Sequence, residues 1–158
     1  MRDMTPDDLH GEIGVEHLLT YADGHRRRVF VVDREVPFPE GRLIVSRTDP
    51  HGVITQANES FVAMSGYTLD QLIGEQHYIL RHPDMPSVAF KDLWDTVSKG
   101  QKWTGYVKNL RKDGAYYWVF ASVVPNIRDG RIAGYTSVRR KPSRSKVAEA
   151  AALYPTLK

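Results

Sequence analysis

Residues 81–119 read RHPDMPSVAFKDLWDTVSKGQKWTGYVKNLRKDGAYYWV, and this stretch decides the fold. An RHPDMP turn stands before a helical pattern, and two strand patterns joined by the turn residues KDG follow it. The stretch holds all three tryptophans of the chain, together with a cation and an amide from Arg81 and Asn109. Flat aromatic surface beside cationic and amide groups suits a planar ligand with polar edges.

The helix after the RHPDMP turn is predicted over residues 86–99. Pro86 suits a first helical turn, and Asp84 is placed to cap the helix. Lys99 and Gly100 supply a stop. Between these limits, apolar residues recur at the spacing of one helix face, namely Val88 or Ala89, Phe90, Leu93, Trp94 and Val97. This stripe favours a core role for Trp94.

Five strands are predicted around this helix. Three follow it, over residues 103–111, 115–126 and 131–140, with KDG and RDG as hairpin turns. Two precede it, over residues 43–48 and 53–56.

Short helices are predicted between the second and third strands, over residues 59–65 and 69–73, each ended by a glycine. Asn58 stands where the first of them needs an N-cap. The order of two strands, several helices and three strands predicts an α+β domain. In it, a five-stranded antiparallel sheet carries short helices on one face.

The two ends of the chain are predicted to lie outside this domain, which we place at residues 33–142. Residues 1–32 form an N-terminal extension in which Leu9, Ile13 and Leu18 suggest a helix ended by a turn near Gly24. VFVV (29–32) could be a short strand or an apolar stretch that packs on a partner. Residues 143–158 form a C-terminal linker and helix.

Composition excludes several classes of protein. The 158-residue chain has no cysteine, so disulfides, thiolate metal sites and iron–sulfur clusters are excluded. No apolar run approaches the roughly 20 residues of a membrane-spanning helix, and the acidic start lacks the pattern of a signal peptide. A cytoplasmic location is therefore expected. The net charge is +3, and the basic residues do not belong to a recognisable nucleic-acid-binding motif.

Strand parity divides the tryptophans between the two faces of the sheet. Trp103, Gly105 and Asn109 share one face, because alternate residues of a strand point the same way. This face offers an aromatic plate, a gap that a ligand could enter at the glycine, and an amide. The alternative is a core tryptophan beside a bulge. Trp118 is expected to face away from the ligand and to pack on a helix or a second subunit.

Four segments carry a resemblance to a known family. They are REVPFPEGRLIVSRTD (34–49), ANESFVAMSGYTLDQLIG (57–74), RHPDMP (81–86) and IAGYTSVRRKPSR (132–144). Together they resemble the PAS sensor domain of the bacterial aerotaxis receptors, whose PAS domain binds FAD. The resemblance covers residues 34–142. It implies a PAS fold and FAD as cofactor, with FMN or haem as lesser alternatives.

The resemblance also implies which residues form the cofactor site. In that family, the matching motif residues bind the flavin or support its pocket; here they are Asn58, Arg81, His82, Asp84, Trp103 and Asn109. Trp103 would lie against the isoalloxazine ring, the two asparagines would hydrogen-bond polar edges, and Arg81 or His82 would meet electron-rich groups. Asn58 and Asp84 could instead be helix caps. Leu110 stands where the family usually has a basic residue. The resemblance therefore implies binding of the dinucleotide FAD less strongly than binding of a flavin.

The function implied is that of a sensor rather than an enzyme, since no catalytic fingerprint is present. A flavin-binding module would read redox, oxygen or energy state and signal by altered protein contact. Alternatives are a ligand-free PAS interaction module, a haem sensor with His77 or His82 as axial ligand, and a small flavoenzyme. We expect a homodimer or a separate signalling transducer as partner, without nucleic acid or a membrane span. The N-terminal extension and the sheet face of Tyr116, Trp118 and Phe120 would supply the contact.

Overall fold

A computed structural model describes residues 1–157 and contains two antiparallel sheets. The smaller is a hairpin of β1 (Val15–Thr20) and β2 (Arg26–Val31). The larger has five antiparallel strands, as predicted, and their spatial order is β4-β3-β7-β6-β5. These strands are β3 (Ile44–Thr48), β4 (Ile54–Ala57), β5 (Trp103–Leu110), β6 (Tyr116–Arg128) and β7 (Arg131–Arg140).

The helices lie on both sides of the larger sheet. Those between β4 and β5 pack on its inner face and are α1 (Glu59–Ser65), α2 (Leu69–Leu72), a 3₁₀ turn (His77–Leu80) and α3 (Ser87–Val97). The C-terminal helix α4 (Arg144–Leu153) packs on the outer face instead. The prediction of helices on one face therefore holds for the helices between the strands, whereas α4 covers the opposite face.

Local sequence explains where the helices begin. Asn58 caps α1 by accepting a hydrogen bond from the Phe61 amide at 3.0 Å, and Thr68 caps α2 in a capping box with Gln71. Helix α3 begins after Pro86 and has no side-chain cap. The Asp84 carboxylate accepts a hydrogen bond from Lys108 on β5 at 2.8 Å, and its role as a cap of α3 stays a prediction.

The N-terminal extension forms a hairpin and not the helix that its apolar spacing suggested. Its first element is a short 3₁₀ turn (Pro6–Leu9), followed by β1, a turn at Gly24 with φ of 87°, and β2. Within β2, burial alternates, with Arg27 and Val29 buried between exposed neighbours. The segment forms a strand and not a helix because its buried residues alternate along the chain and face the domain. The strand alternative for 29–32 is confirmed over Val29 to Val31.

The extension packs on its own domain. Leu9, Val29 and Val32 form one buried cluster with Leu110 and Ala115. On the far side of the sheet, Trp118 is buried against Val147 and Ala150 of α4. Part of each surface expected to bind a partner is thus covered within the chain, whereas Ile13, Val15 and Leu18 of the extension stay exposed. The prediction that Trp118 faces away from the inner side of the sheet is confirmed.

Candidate functional site

A cavity of about 290 Å³ lies between the inner face of the larger sheet, α3 and the 3₁₀ turn. Ligand pockets occupy about 300–1,000 Å³, so this volume lies just below that range. One side is apolar and belongs to the middle of the sheet. Its lining there comprises Val107, Val119, Ala121 and Val123. Such a floor suits a flat apolar ring system.

Trp103 supplies an aromatic wall of the cavity and is itself held in place. Its indole Nε1 donates to Asp92 Oδ2 on α3 at 2.8 Å, and its side chain is largely buried. A Cβ at Gly105 would lie 2.4 Å from the Trp103 ring. The space above the glycine is therefore filled by Trp103, and the predicted gap for a ligand at Gly105 is wrong. The glycine instead permits the ring to fold over the strand.

Asn109 and Arg81 also line the cavity, and a β-bridge joins their backbones. The Arg81 guanidinium lies 5.0 Å from the centre of the Phe90 ring. Its Nε has no hydrogen-bond partner within residues 1–157, and burial lowers the Arg81 pKa. These two predicted residues and Trp103 are brought together in one wall.

The other three predicted site residues are placed outside the cavity lining. Asn58 Oδ1 accepts from the amides of Val45 and Phe61, and its Nδ2 donates to the Leu43 carbonyl. His82 is buried, and its Nδ1 accepts from the Asp84 amide at 3.0 Å. These contacts shape the turn before α3 and join α1 to β3. None of the three side chains is part of the cavity lining.

Arg139 is a cavity residue that the sequence reading missed. It is 2% exposed, and its Nη1 donates to His77 Nε2 and to Ser137 Oγ, both at 3.1 Å. Its Nη2 donates to Ser46 Oγ at 2.8 Å, and the guanidinium lies 4.6 Å from the centre of the Phe61 ring. The Arg139 Nε has no partner in the described part of the chain. No carboxylate pairs with this cation there.

Burial controls the charges of this cluster. Burial, followed by the nearby Arg139 cation, lowers the pKa of His77 to about 3. His77 is therefore neutral at physiological pH and accepts a hydrogen bond from Arg139. Burial also lowers the pKa of Arg139 to about 10, which leaves it protonated near neutrality. The cavity wall thus contains a buried cation whose neighbours are all neutral.

The signal for Arg139 was its strand parity. Arg139 lies in β7 two residues after Ser137 and four after Tyr135, and all three line the cavity. The basic run at residues 139–146 obscures this signal, because such a run is typical of a solvated strand end. The core role predicted for Trp94 is also wrong. This residue lines the cavity, 39% of its surface is exposed, and its ring contacts the Tyr135 ring edge-on at 5.3 Å.

Residues 54–139, which contain most of the sheet and the cavity lining, match the model of the PAS fold. The chain belongs to the PAS family. The aerotaxis receptor of Escherichia coli K12 is 44% identical over 128 residues, which is 81% of this chain and 25% of the receptor. The nitrogen fixation regulatory protein of Klebsiella pneumoniae is 29% identical over 111 residues, covering 70% of this chain and 22% of that protein. The chain thus spans about a quarter of these relatives.

A solved PAS-fold neighbour agrees with this placement. The light-state structure of the blue-light photoreceptor Aureochrome1 LOV superposes with a TM-score of 0.61 at 27% identity. The match covers 67% of this chain and 89% of that one. PAS domains of this kind are signalling modules and not enzymes. None of the helices within residues 1–157 is long and apolar enough to cross a membrane.

Proposed function

We propose that this chain is a flavin-binding sensory module, with FAD as the flavin, that reads redox, oxygen or energy state. The observation that carries the proposal is the cavity, in which an aromatic wall at Trp103 and a buried cation at Arg139 face an apolar floor. A flavin has a flat ring with electron-rich polar edges, and this combination of groups matches it. The resemblance to the FAD-binding aerotaxis PAS domains supports the same cofactor.

The residues of the cavity fit a flavin in distinct roles. Trp103 and the valines of β5 and β6 would hold the faces of the ring. Asn109 would hydrogen-bond a polar edge, and Arg81 and Arg139 would meet negative or electron-rich groups. Asn58 would act indirectly by fixing the start of α1. When bound, the flavin supplies reversible electron transfer.

The response would begin at Arg139. Electrons added to a bound ligand increase its negative charge, and a buried cation stabilises such charge strongly because the local dielectric is low. The acceptors of Arg139 are the hydroxyls of Ser46 and Ser137 and the ring of His77. A stronger pull on the guanidinium would weaken these contacts, which join β7 to β3 and to the 3₁₀ turn. Their rearrangement would favour a different packing.

The output would be an altered contact with another protein. The partner is either a second copy of this chain or a separate transducer, and we place the module in the cytoplasm. For either partner, the ligand can change the contact only if it binds the two packings of the domain with different affinity. Light scattering of the oxidised and reduced protein distinguishes a second copy from a separate partner.

The direct test is the identity of the bound chromophore. The protein is purified after growth with excess riboflavin, its absorbance spectrum is recorded, and the ligand released by heat is identified by chromatography. We expect a flavin spectrum and FAD in the supernatant. Recovery of haem would replace the flavin by the haem alternative. A colourless protein that takes up no added FAD would favour a ligand-free interaction module.

A further inference from the structure

The turn between β1 and β2 forms part of the cavity wall. Ala22 and Asp23 line the cavity together with residues of the sheet and of α3. Both lie outside residues 54–139, which match the PAS fold, and outside the aerotaxis motif at residues 34–142. The hairpin therefore adds to the cavity a wall that the PAS motif does not contain.

Two contacts attach this turn to the domain beside the cavity. The Tyr21 ring stacks on the Tyr78 ring, with centroids 4.0 Å apart and planes 8° from parallel. The Tyr78 hydroxyl donates to Asp23 Oδ2 at 2.7 Å. Burial, followed by Asp23, raises the pKa of Tyr78, so the phenol keeps its proton and remains a donor. Tyr78 itself lines the cavity.

The strand that follows the turn is attached more firmly than the turn itself, through Arg27, which pairs with Leu19 close to the turn. Arg27 is buried and donates to the Ile79 carbonyl at 3.1 Å and to the Tyr67 hydroxyl at 3.0 Å. The turn residues Ala22 and Asp23 are exposed by comparison. An exposed hydrogen bond opens more easily than a buried set, so the turn can separate from Tyr78 while the hairpin stays docked.

We propose that the turn of residues 21–23 is a retaining wall of the ligand site, and that a bound flavin leaves when this turn separates from Tyr78. The inference rests on the proposed function. It assigns a ligand-holding role to a segment that precedes the PAS motif. Its expected signature is kinetic, because loss of a contact that closes a site acts mainly on the dissociation rate.

The test compares two Tyr→Phe variants in the full chain loaded with FAD. Tyr78→Phe removes the hydroxyl that reaches Asp23 and keeps the ring that stacks on Tyr21. Tyr154→Phe is the matched control, because its hydroxyl donates to the Tyr106 carbonyl at 2.6 Å on the opposite face of the sheet. FAD release is followed by the rise in flavin fluorescence after dilution. We expect release from Tyr78→Phe to be roughly fivefold faster or more, with the control unchanged.

Asp23→Ala provides a second route to the same bond. It should speed release at least as much as Tyr78→Phe does, because it also removes the acceptor of the His25 amide. The double variant should be no faster than Asp23→Ala alone, since the bond to Tyr78 is already lost there. Equal release rates for the wild type, Tyr78→Phe and Asp23→Ala would overturn the retaining role while leaving flavin binding intact. A wild type that holds no flavin would instead overturn the proposed function and the retaining role with it.

Discussion

Two buried arginines, Arg27 and Arg139, are each 2% exposed, but they are satisfied in different ways. Arg27 donates from all three nitrogens of its guanidinium, to the carbonyls of Arg2 and Ile79 and to the Tyr67 hydroxyl. Arg139 donates to side-chain acceptors only, and its Nε has no partner among the residues described. Arg27 joins the hairpin to the domain, whereas Arg139 lines the cavity.

The difference separates a structural cation from a ligand-binding one. A buried charge costs folding free energy unless hydrogen bonds and opposite charge compensate for it. Two backbone carbonyls and the Tyr67 hydroxyl compensate Arg27. Arg139 lines a cavity and has one nitrogen without a partner in the described residues, which is the arrangement expected where a ligand completes the set. Sites of function commonly retain such incompletely satisfied groups at a cost in stability.

The largest expected effect is on the stability of the Arg27→Met variant. It leaves three acceptors without their donor, and hydrogen bonds to charged groups are worth about 1.5–3 kcal/mol each, so the loss should be about 3 kcal/mol or more. Urea unfolding measures it. Arg28→Met is the control, because the exposed pair of Arg28 with Glu16 should contribute under about 1 kcal/mol. Equal losses would show that burial of Arg27 carries no special weight.

Arg139→Met should give the opposite pattern. Removing a buried cation without a charged partner should leave the stability of the flavin-free protein unchanged or raise it by about 1 kcal/mol. FAD affinity should fall about tenfold or more, which corresponds to about 1.4 kcal/mol. Fluorescence titration measures the affinity, with the exposed neighbour Arg140→Met as control. A large loss of stability with unchanged affinity would make Arg139 structural like Arg27.

Trp103→Ala tests whether the aromatic wall of the cavity contributes to flavin binding as Arg139 does. Stacking is worth about 0.5–1.5 kcal/mol beyond burial, so FAD retention should fall roughly threefold to tenfold per folded protein. Trp118→Ala removes an equal ring from the outer face and should weaken the packing of α4 without changing retention. Circular dichroism checks the fold of each variant. Equal flavin loss in both would contradict the assignment of faces.

The smallest expected effect concerns acid stability, because His77, an acceptor of Arg139, has a lowered pKa. The His77 pKa is about 3 in the folded protein and about 6.5 when unfolded, so the unfolded chain binds the extra proton between these values. Stability from neutral His77 is complete above pH 6.5 and falls as the pH drops toward 3. At pH 5.5 the loss should be about 1 kcal/mol. His77→Gln should remove this part of the pH dependence in urea unfolding.

The sequence predicted the larger sheet well because its signals are local. The KDG and RDG turns fix the hairpins, and the parity of β6 places Trp118 on the outer face. The N-terminal hairpin was missed because its period is set by contacts with Leu110 and Ala115, which are distant in sequence. Apolar spacing alone does not distinguish strand from helix there.

The candidate site was predicted in part for the same reason. Trp103, Arg81 and Asn109 belong to one continuous motif and do line the cavity. Arg139 escaped notice because a cation beside further bases looks solvated until the sheet places β7 next to β3. The role of Gly105 was also misread, since only the structure places the Trp103 ring above it.

The ion pair between Glu35 and Arg144 has a mechanical consequence. Its two hydrogen bonds, at 2.7 and 3.0 Å, connect the segment that enters the sheet domain to the helix that leaves it. Lys141 and Glu40 pair alongside. A tension applied between the two ends of the domain is therefore shared between these surface pairs and the backbone hydrogen bonds that join residues 34–36 to Tyr116 of β6. Because salt screens such pairs, the stiffness of this junction should fall as ionic strength rises.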